Sequence, residues 1–403
     1  MHFELNKFIS DAVIERENSL FADDLKKFDK SLRAQLEGKS MLVIGGAGTI
    51  GSSFIKAALK YDLKRLFVID IDENGLTELV RDVRSSFNLP PAFEISTYPI
   101  DFSDPVFEKI LINEGPFDVV ANFAAHKHVR SEKDAYSIEA MLRNNVIKAK
   151  RLLDLLTTYK PTHFFCVSTD KAANPVNVMG ASKKIMEYLI LAYSAQLKIT
   201  TARFANVAFS NGSLPFGFTQ RILKKQPLSS PDNIKRYFVS PQEAGELCLI
   251  ACMLGQNGEI FFPKLGEEHM KTFSAIAEKY LSALGYQAEL CASETEAKEK
   301  AAQLHAGSKK YPVYFFKSDT SGEKPYEEFY TEKEELDLRS YHQLGVIKNA
   351  ERLPLEEMLS IIDQIETLFQ NKNISKETVI VELKKILPSF QHIETGKSLD
   401  QRM

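Results

Sequence analysis

The chain has 403 residues, of which 44% are hydrophobic and 26% charged, and its formal net charge is −3. Such a chain can bury a sizeable core, and its nearly balanced charge argues against a nucleic-acid or anionic-membrane partner. The four cysteines are scattered, which predicts reduced core residues. We expect neither a signal peptide nor membrane insertion, because the apolar runs are far shorter than the ~20 residues that span a bilayer. A cytoplasmic protein is the simplest interpretation.

In chain order, residues 1–38 are charged and helical in pattern, which predicts an N-terminal helical arm for docking or oligomer formation. Short apolar runs follow, of the kind that form buried parallel strands. These runs cover residues 41–45, 66–70, 93–100, 117–123, 162–168 and 200–205. Helical segments, the clearest over residues 137–159, alternate with them. This alternation predicts an α/β fold with a doubly wound parallel (Rossmann) sheet in a domain spanning residues 39–210.

Prolines and glycines cluster after Asn206, which marks a change to loops and short elements. We predict a smaller C-terminal substrate-binding domain over residues 211–350, which partly shares strands and helices with the first domain. Within it, the charged residues 287–310 favour a helix. Residues 351–403 have the pattern of amphipathic helices, and the last dozen are polar enough to fray.

Glycines follow the first predicted strand in the pattern G-x-x-G-x-x-G, at Gly45, Gly48 and Gly51. Glycine lets the backbone turn sharply and approach a pyrophosphate, while the following helix offers free N–H groups and the positive end of its dipole. Asp70 ends the second strand, 19 residues after Gly51, where a carboxylate can accept hydrogen bonds from ribose hydroxyls. Because that charge would repel a 2′-phosphate, we predict NAD as the cofactor rather than NADP. A tight turn without a ligand is the alternative.

Further residues are predicted to line the cofactor site. They are Thr49, Ile50, Asp101, Phe102, Ala124, Ala125 and Lys183. Asp101 follows the third strand and fits an adenine contact, or a cap for a helix that begins near Ser103. The two alanines would let a dinucleotide lie close to the strand. His126 and His128 follow them without a matching carboxylate set, so we expect a pocket wall or a substrate contact there and no metal site.

The most informative stretch is residues 167–183, which read V-S-T-D-K-A-A-N-P-V-N-V-M-G-A-S-K. Thr169, Asp170 and Lys171 place a hydroxyl, a carboxyl and an amine on consecutive positions. They come at the carboxyl end of a predicted strand, where ligands bind in this type of sheet. An exposed turn with an Asp cap is the alternative. The sequence therefore predicts a candidate acid–base site at this strand end.

These motifs resemble the extended short-chain dehydrogenases/reductases, and most of all the nucleotide-sugar 4,6-dehydratases of the CapD/PglF polysaccharide-biosynthesis group. The matching segments are G-G-A-G-T-I-G, N-F-A-A-H-K-H-V, the stretch 167–183, R-F-A-N-V from Arg203, K-R-Y-F from Lys235 and G-E-K-P-Y-E-E from Gly322. Met179 stands where many short-chain enzymes carry a tyrosine. In having a methionine there, the chain resembles the configuration-retaining members. Residues 226–233 depart from the family's usual loop, and the Arg-Pro that commonly precedes Gly322 is missing. The sequence therefore predicts the reaction better than the identity of the nucleotide and the sugar. Membrane-bound relatives have an extra N-terminal region, and we expect this chain to be a soluble short form.

The resemblance implies an NAD-dependent UDP-N-acetylglucosamine 4,6-dehydratase that retains configuration at C5 and serves surface polysaccharide or glycan biosynthesis. Asp170 would be the general acid and Lys171 the C5 base, with their pKa values moved toward one another. Thr169 would hydrogen-bond the C4 oxygen, Lys183 would hold the nicotinamide ribose, and Met179 would shape the nicotinamide pocket. The expected substrate contacts are His128, Asn177, Asn206, Arg236 and Glu323.

Three alternatives stay open: a nucleotide-sugar 4-epimerase, a C5-inverting dehydratase and a non-catalytic NAD-binding regulator. An epimerase would use the same C4 oxidation without loss of water. By family likeness, we also expect a homo-oligomer that assembles through the helices around residues 137–159 and 179–197.

Overall fold

The computed structural model describes residues 3–397, which form one large sheet and two small ones. The strands are β1 Ser40–Ile44, β2 Arg65–Asp70, β3 Glu94–Pro99, β4 Val119–Asn122, β5 His163–Val167, β6 Ile199–Ala202, β7 Asn206–Val207, β8 Leu228–Pro231, β9 Lys235–Val239, β10 Ile260–Pro263, β11 Met270–Thr272, β12 Gln287–Leu290, β13 Lys310–Phe316, β14 Leu336–Asp337 and β15 Leu344–Ile347. The large sheet has the order β14-β15-β10-β6-β5-β4-β1-β2-β3. All six predicted strands of the first domain are present in it.

The strands from β3 across to β10 run parallel, whereas β15 is antiparallel to β10, and β14 to β15. Parallel strands covered by helices on both faces must be apolar on both sides, and β1, β4, β5 and β6 are buried along their whole length. The predicted doubly wound Rossmann sheet is therefore confirmed. Its carboxyl ends meet at one edge, which is where the candidate site lies.

The helices cover both faces of this sheet and build the smaller region. They are α1 Leu5–Phe8, α2 Ala22–Leu36, α3 Thr49–Ala58, α4 Glu73–Ser86, α5 Pro105–Glu114, α6 Ala135–Leu142, α7 Lys148–Thr158, α8 Val178–Ala192, α9 Leu214–Leu223, α10 Pro241–Leu254, α11 Phe273–Ala283, α12 Glu294–Ala301, α13 Leu355–Leu368 and α14 Lys376–Ile386. The predicted helix over residues 137–159 is interrupted, because a π-helical turn at Arg143–Ile147 separates α6 from α7. Such turns are frequent at functional sites.

The smaller region follows β6 and has its own apolar core, built from β8, β9, β13, α9 and α11. Its two three-stranded sheets have the orders β11-β9-β7 and β12-β13-β8. The predicted helix over residues 287–310 is wrong in part, since only Glu294–Ala301 is helical. Residues 287–290 instead form β12, because the buried strand β13 offers them a parallel partner, and that pairing overrides local helix propensity.

The N-terminal arm docks on the protein's own core. Phe8, Ile9 and Val13 are buried in the smaller core, while the following helix α2 packs into the core of the large sheet. Between these two anchors, the Arg16 guanidinium binds both oxygens of the Glu243 carboxylate at 2.6 Å. Glu243 is completely buried and also caps the N-terminus of α10. The arm therefore ties the two regions of the molecule together.

The C-terminal tail contains the predicted amphipathic helices, α13 and α14. Helix α13 packs against α8 and the π-helical turn, and α14 packs against α6. This part of the helix face expected to join a second copy is thus covered by the chain's own tail, while the oligomeric state stays a prediction. Residues 392–397 form hydrogen bonds to two loops, the fraying expected of the last dozen residues stays a prediction, and residues 398–403 lie outside the described range. Across residues 3–397, no helix is both long and apolar enough to cross a membrane.

We predict that Arg16→Ala lowers the free energy of unfolding by ~2–3 kcal/mol, because it leaves the buried carboxylate of Glu243 without its cation. Arg33→Ala is the matched control, since Arg33 pairs with Asp29 on an exposed helix face and should change the free energy by less than ~1 kcal/mol. Urea unfolding of both variants measures the difference. Equal effects of the two substitutions would show that the arm is not held by this ion pair.

Candidate active site

A glycine cradle lies between β1 and α3. Gly45 has a φ of +76°, and a Cβ there would lie 2.5 Å from the Ala124 nitrogen. A Cβ on Gly51 would lie 2.3 Å from the Gly45 carbonyl oxygen. Both positions therefore require glycine. Gly48 is the N-cap of α3 and has no side chain to cap it, so the first amides of this helix are left for an anionic ligand.

The cradle opens into a cavity of about 220 Å³ at the carboxyl ends of β1, β2 and β4. Every predicted cofactor residue except Lys183 lines it. These residues are Gly45, Gly48, Thr49, Ile50, Gly51, Asp70, Asp101, Phe102, Ala124 and Ala125. Asp70 is oriented by the backbone amides of Ala47 and Asp72, at 2.9 and 3.0 Å from its two oxygens. A carboxylate fixed in this way keeps lone pairs for ribose hydroxyls, so the cavity fits a dinucleotide that carries a free 2′-hydroxyl.

Asp101 is ionised and anchored rather than a helix cap. Its carboxylate accepts two hydrogen bonds from Ser103 and pairs with Lys148. Burial alone would raise the pKa of Asp101, but these partners outweigh burial, and the pKa lies below its usual value. Helix α5 begins at Pro105 and is capped by Asp104, so the alternative of a cap at Asp101 is wrong. The adenine contact stays a prediction.

The triplet Thr169–Lys171 begins a 3₁₀ turn directly beyond β5. The Thr169 hydroxyl donates to Asp170 Oδ1 at 2.8 Å, and the Lys171 Nζ donates to the same oxygen at 3.1 Å. Asp170 is only 3% exposed, which rules out the exposed turn considered as the alternative. Hydroxyl, carboxylate and amine thus form one buried hydrogen-bonded set.

Lys171 has a second carboxylate partner, Glu327, which lies within the G-E-K-P-Y-E-E motif but was not assigned a role from the sequence. Its Nζ lies 3.7 Å from Oε1 of Glu327, which is itself 3% exposed. Burial alone would lower the pKa of Lys171, but the charges of Asp170 and Glu327 outweigh it, and its pKa is raised. The expected downward shift is therefore wrong for this state of the protein, and Lys171 carries a proton at rest.

Lys183 and Met179 are both buried on α8. The Lys183 Nζ donates to the Val167 carbonyl at 2.7 Å, two residues before Thr169. Burial lowers the pKa of Lys183, since the carboxyl group of Glu187 and the thiol of Cys166 only partly offset it. Lys183 is therefore placed beside the triplet, and its contact with the nicotinamide ribose stays a prediction, as does the pocket role of Met179.

Asn177 serves the protein's own structure. Its Oδ1 accepts from the Gly180 amide at 2.7 Å as the N-cap of α8, and its Nδ2 donates to the Gly322 carbonyl at 2.8 Å. With both ends of the amide engaged and the side chain buried, Asn177 holds the triplet's loop against the loop that follows β13. The substrate contact expected of Asn177 stays a prediction.

The other predicted substrate residues are placed differently. Arg236 is buried, not a surface arginine, and its guanidinium bonds the carbonyls of Lys235 and Lys324 at 2.9 and 3.0 Å and lies 3.8 Å from Glu323. The Nδ2 of Asn206 is buried and has no hydrogen-bond partner within residues 3–397, so it is free to donate, and its substrate contact stays a prediction. The half-buried His128 has a lowered pKa, chiefly because of burial, and is therefore neutral near pH 7.

Asn145 lies within the π-helical turn and bonds the segment after β4. Its side-chain oxygen accepts from the His126 amide at 2.8 Å, and its nitrogen donates to the His126 carbonyl at 2.9 Å and to Ser182 at 3.0 Å. Asn145 is buried and bridges the backbone of the segment after β4, so it does not lie on a solvated helix face. The bridge fixes the strand-end segment that lines the cofactor cavity.

The tail crosses the site as a strap, which we define as residues 391–397. The strap amides of Gln391 and Ile393 donate to the carbonyls of Pro175 and Val176, at 3.1 and 3.0 Å. In return, the strap carbonyl of Ile393 accepts from the Gly322 amide at 2.9 Å. The strap therefore binds the loop of the triplet on one side and the loop after β13 on the other. The position of the strap could not be predicted from a sequence motif, because its hydrogen-bond partners are more than 70 residues away.

Comparisons with known proteins show which family this chain belongs to. Residues 41–346 match the model of a family described as polysaccharide biosynthesis protein. An uncharacterized membrane protein of Methanocaldococcus jannaschii is 35% identical over 259 residues, which are 62% of this chain and 74% of that protein. The capsular polysaccharide biosynthesis protein CapD of Staphylococcus aureus is 29% identical over 258 residues, which are 63% of this chain but 42% of CapD. A UDP-glucose 4-epimerase of Rickettsia massiliae is 29% identical over 236 residues, 56% of this chain and 66% of the epimerase. This chain thus matches less than half of the length of CapD.

Solved structures share the fold. Pen from Bacillus thuringiensis superposes with a TM-score of 0.62 at 21% identity, covering 82% of this chain and 98% of Pen. A double mutant of DesIV, a dTDP-glucose 4,6-dehydratase of Streptomyces venezuelae crystallised with NAD and DAU, superposes with a TM-score of 0.54 at 19% identity, covering 73% of this chain and 88% of DesIV. At these identities, the likeness establishes the Rossmann-like architecture.

We predict that Gly51→Ala lowers the free energy of unfolding by ~2 kcal/mol, because the new Cβ would press on the Gly45 carbonyl in a packed turn. Gly48→Ala is the matched control, since the nearest atom to its Cβ would be 3.4 Å away, an ordinary contact distance. Urea unfolding compares the two. A Gly51 variant as stable as the Gly48 variant would contradict the tight cradle.

We also predict that deletion of residues 391–403 lowers hydrogen-exchange protection of the Ser321 and Gly322 amides by roughly tenfold each, the equivalent of about 1.4 kcal/mol per lost hydrogen bond. Both amides donate to strap carbonyls. The amide of Gly45, which donates within the sheet region to Ile69, is the internal control and should keep its protection. Unchanged exchange at Ser321 and Gly322 would mean that the strap does not fix this loop.

Proposed function

Because the chain belongs to the polysaccharide biosynthesis protein family, we propose that it is a nucleotide-sugar 4,6-dehydratase of the short-chain dehydrogenase/reductase type, with UDP-N-acetylglucosamine as its substrate. The observation that carries this proposal is the buried set of Thr169, Asp170 and Lys171 at the end of β5. Such a set can take and give protons without a tyrosine, and Met179 leaves the site without one at that position. Supporting resemblance comes from the CapD relative, whose name places it in capsule biosynthesis.

NAD is the proposed cofactor. The two obligatory glycines, the uncapped start of α3 and the fixed carboxylate of Asp70 are the features that a dinucleotide requires. When bound, the oxidised nicotinamide accepts a hydride from C4 of the sugar and returns it to C6. Gly48, Thr49 and Ile50 would hold the pyrophosphate, Asp70 the adenosine ribose, and Lys183 the nicotinamide ribose. Since the cofactor is regenerated, it should copurify with the protein.

The acid–base work falls to the triplet. The Thr169 hydroxyl accepts a hydrogen bond from the C4 hydroxyl and already donates to Asp170. The proton of the C4 hydroxyl is therefore relayed through Thr169 to Asp170. The resulting 4-ketone acidifies the proton on C5. Lys171 removes this proton, and Asp170 gives its proton to the C6 hydroxyl, which leaves as water. Lys171 later returns a proton to C5 on the same face, which gives retention and a 4-keto-6-deoxy sugar.

The nucleotide would lie against β9 and the loop after β13. The buried guanidinium of Arg236 and the unpartnered amide of Asn206 are donors suited to diphosphate and sugar oxygens. Glu323 would accept from ribose hydroxyls, and His128 would form the wall on the other side of the groove. We place the reaction in the cytoplasm, where nucleotide sugars are made for surface glycans, and propose a homo-oligomer that uses surfaces not covered by α13 and α14.

A 4-epimerase is the second candidate, because a Rickettsia epimerase is among the relatives. It would need the same cofactor but has no use for an acid and a base that act together on C6 and C5. Incubation with UDP-N-acetylglucosamine and mass analysis of the product separates the two reactions. Loss of one water identifies a dehydratase, whereas an unchanged mass identifies an epimerase.

We predict that Asp170→Asn and Lys171→Met each slow water loss by at least ~100-fold while NAD stays bound, because each removes one proton-handling group and leaves the cradle intact. The matched control is Asp29→Asn, which removes a carboxyl group from an exposed helical ion pair. Product formation is followed by mass, and bound NAD by extraction. Wild-type rates in either active-site variant would remove the role assigned to that residue.

A further inference from the structure

Lys171 has to lose its proton before it can act as a base, and the structure raises its pKa. Asp170 cannot receive that proton in the proposed reaction, because it is taking up the proton of the C4 hydroxyl at the same stage. A second acceptor within reach of the Lys171 amine is therefore needed. Glu327 is the other carboxylate beside this amine: its Oε1 lies 3.7 Å from Lys171 Nζ, and its side chain is 3% exposed. This separation must shorten to hydrogen-bond length before the proton is transferred.

We propose that Glu327 receives the proton of Lys171 and so converts the amine into the C5 base. This inference rests on the dehydratase function proposed above. In this role, Glu327 acts through Lys171 and is a positioning residue, while Lys171 meets the substrate.

The position of Glu327 is set by the backbone and not by Lys171 alone. The loop after β13 is attached to β9, where the Lys235 amide donates to the Pro325 carbonyl at 3.1 Å. The Arg236 guanidinium bonds the Lys324 carbonyl at 3.0 Å. Both contacts go to carbonyl oxygens of the loop and neither uses the Glu327 side chain, so a substitution of that side chain leaves the loop attached.

Burial and the negative charge of Asp170 favour transfer of a proton to Glu327, whereas the neighbouring cations oppose it. The groups facing Glu327 are Lys171, Asp170, Arg236 and Lys324. Burial raises the pKa of Glu327, the negative charge of Asp170 raises it further, and the cations only partly oppose this, so the net shift is upward. A buried carboxylate with a raised pKa is a better proton acceptor than an exposed one. Exchange of the ion pair for a neutral amine and a neutral acid also relieves the desolvation of both charges.

The proton count closes over one turnover. Before the reaction, Asp170 and Glu327 are ionised and Lys171 is an ammonium. Transfer within the pair gives a neutral amine and a protonated Glu327, while Asp170 gains the proton of the C4 hydroxyl. The amine takes the C5 proton, Asp170 releases its proton to the departing C6 oxygen, and Lys171 returns a proton to C5. Glu327 then gives its proton back to Lys171, which restores the starting state with one water released.

This arrangement also separates two tasks that would otherwise conflict. If Asp170 were the only carboxylate beside Lys171, its protonation would leave the ammonium buried without a counter-charge. With Glu327 in place, the ammonium stays compensated until it passes its proton on. The acid and the base can therefore be prepared independently, in any order.

The test uses Glu327→Gln, which keeps the shape of the side chain and removes its ability to hold a proton, with Glu327→Asp as the conservative variant. Glu332→Gln, on an exposed position of the same loop, is the matched control. We expect Glu327→Gln to lower kcat for water loss by ~100-fold with little change in KM. Reduced nicotinamide should still form on substrate addition, and deuterium incorporation at C5 from heavy water should fall with kcat. Glu327→Asp should recover part of kcat.

The pH profile distinguishes proton transfer from mere support of Lys171. In the wild type, activity falls on the acid side as Glu327 becomes protonated, at a higher pH than an ordinary carboxyl group because its pKa is raised. In Glu327→Gln, Lys171 must lose its proton to water, so the acid limb should move to the pH range in which amines titrate. An unmoved acid limb, or undiminished deuterium incorporation at C5, would overturn the inference. Failure of the proposed function itself would look different, because the wild-type protein would then release no water.

Discussion

The geometry of the candidate site depends on the ion pairs that the completely buried Arg203 forms with two carboxylates. From the end of β6, its guanidinium binds both carboxylate oxygens of Glu187 on α8, at 2.8 and 2.9 Å, and both of Glu334, at 2.9 and 3.0 Å. Glu187 also accepts from the hydroxyl of Ser168 at 2.6 Å, directly before the triplet Thr169–Lys171. Burial alone would raise the pKa of Glu187, but Arg203 lowers it to about 2. Because removal of one member would leave a buried charge uncompensated, at a cost of ~3–5 kcal/mol, the strand end, α8 and the loop before β14 are locked to one another.

Buried charges are compensated at two places in the site, around Arg203 and around Lys171, and the two clusters have different consequences. Around Arg203, two carboxylates face one cation, and the arrangement fixes positions. Around Lys171, two carboxylates again face one cation, but one of them, Glu327, has a raised pKa, and the arrangement allows a proton to move. The difference lies in hydrogen bonding: the Arg203 carboxylates accept several short bonds, whereas Glu327 lies 3.7 and 3.9 Å from its two cations. Tight pairing favours rigidity, and looser pairing in a dry pocket favours exchange.

Much of the fold and of the cofactor cradle could be predicted from the sequence because both depend on local patterns. Short apolar runs give buried parallel strands, and G-x-x-G-x-x-G gives the turn in which Gly45 and Gly51 have no room for a Cβ. The pairing of residues 287–290 with β13, the covering of α8 by α13, and the approach of Glu327 to Lys171 could not be predicted in this way. Each joins segments that are distant in sequence, and a charged stretch has the same pattern whether it is solvated or paired with a partner. The signal available for Arg203 was an arginine inside the predicted strand 200–205, because a cation buried there requires carboxylates from elsewhere.

The proposed reaction explains why remote segments converge at this edge of the sheet. A site that eliminates water needs its acid and base fixed near one another and shielded from solvent. The three loops around the triplet must therefore be held in fixed positions relative to one another. The triplet's loop, the loop after β13 and the strap meet through main-chain hydrogen bonds, with Asn177 bridging the first two. Main-chain bonds do not depend on the identity of the side chains, so these loops can hold the spacing of Asp170, Lys171 and Glu327 while their side chains remain available for a ligand. The tail, which lies outside the part of the chain that matches the family, contributes to this site by holding its walls together.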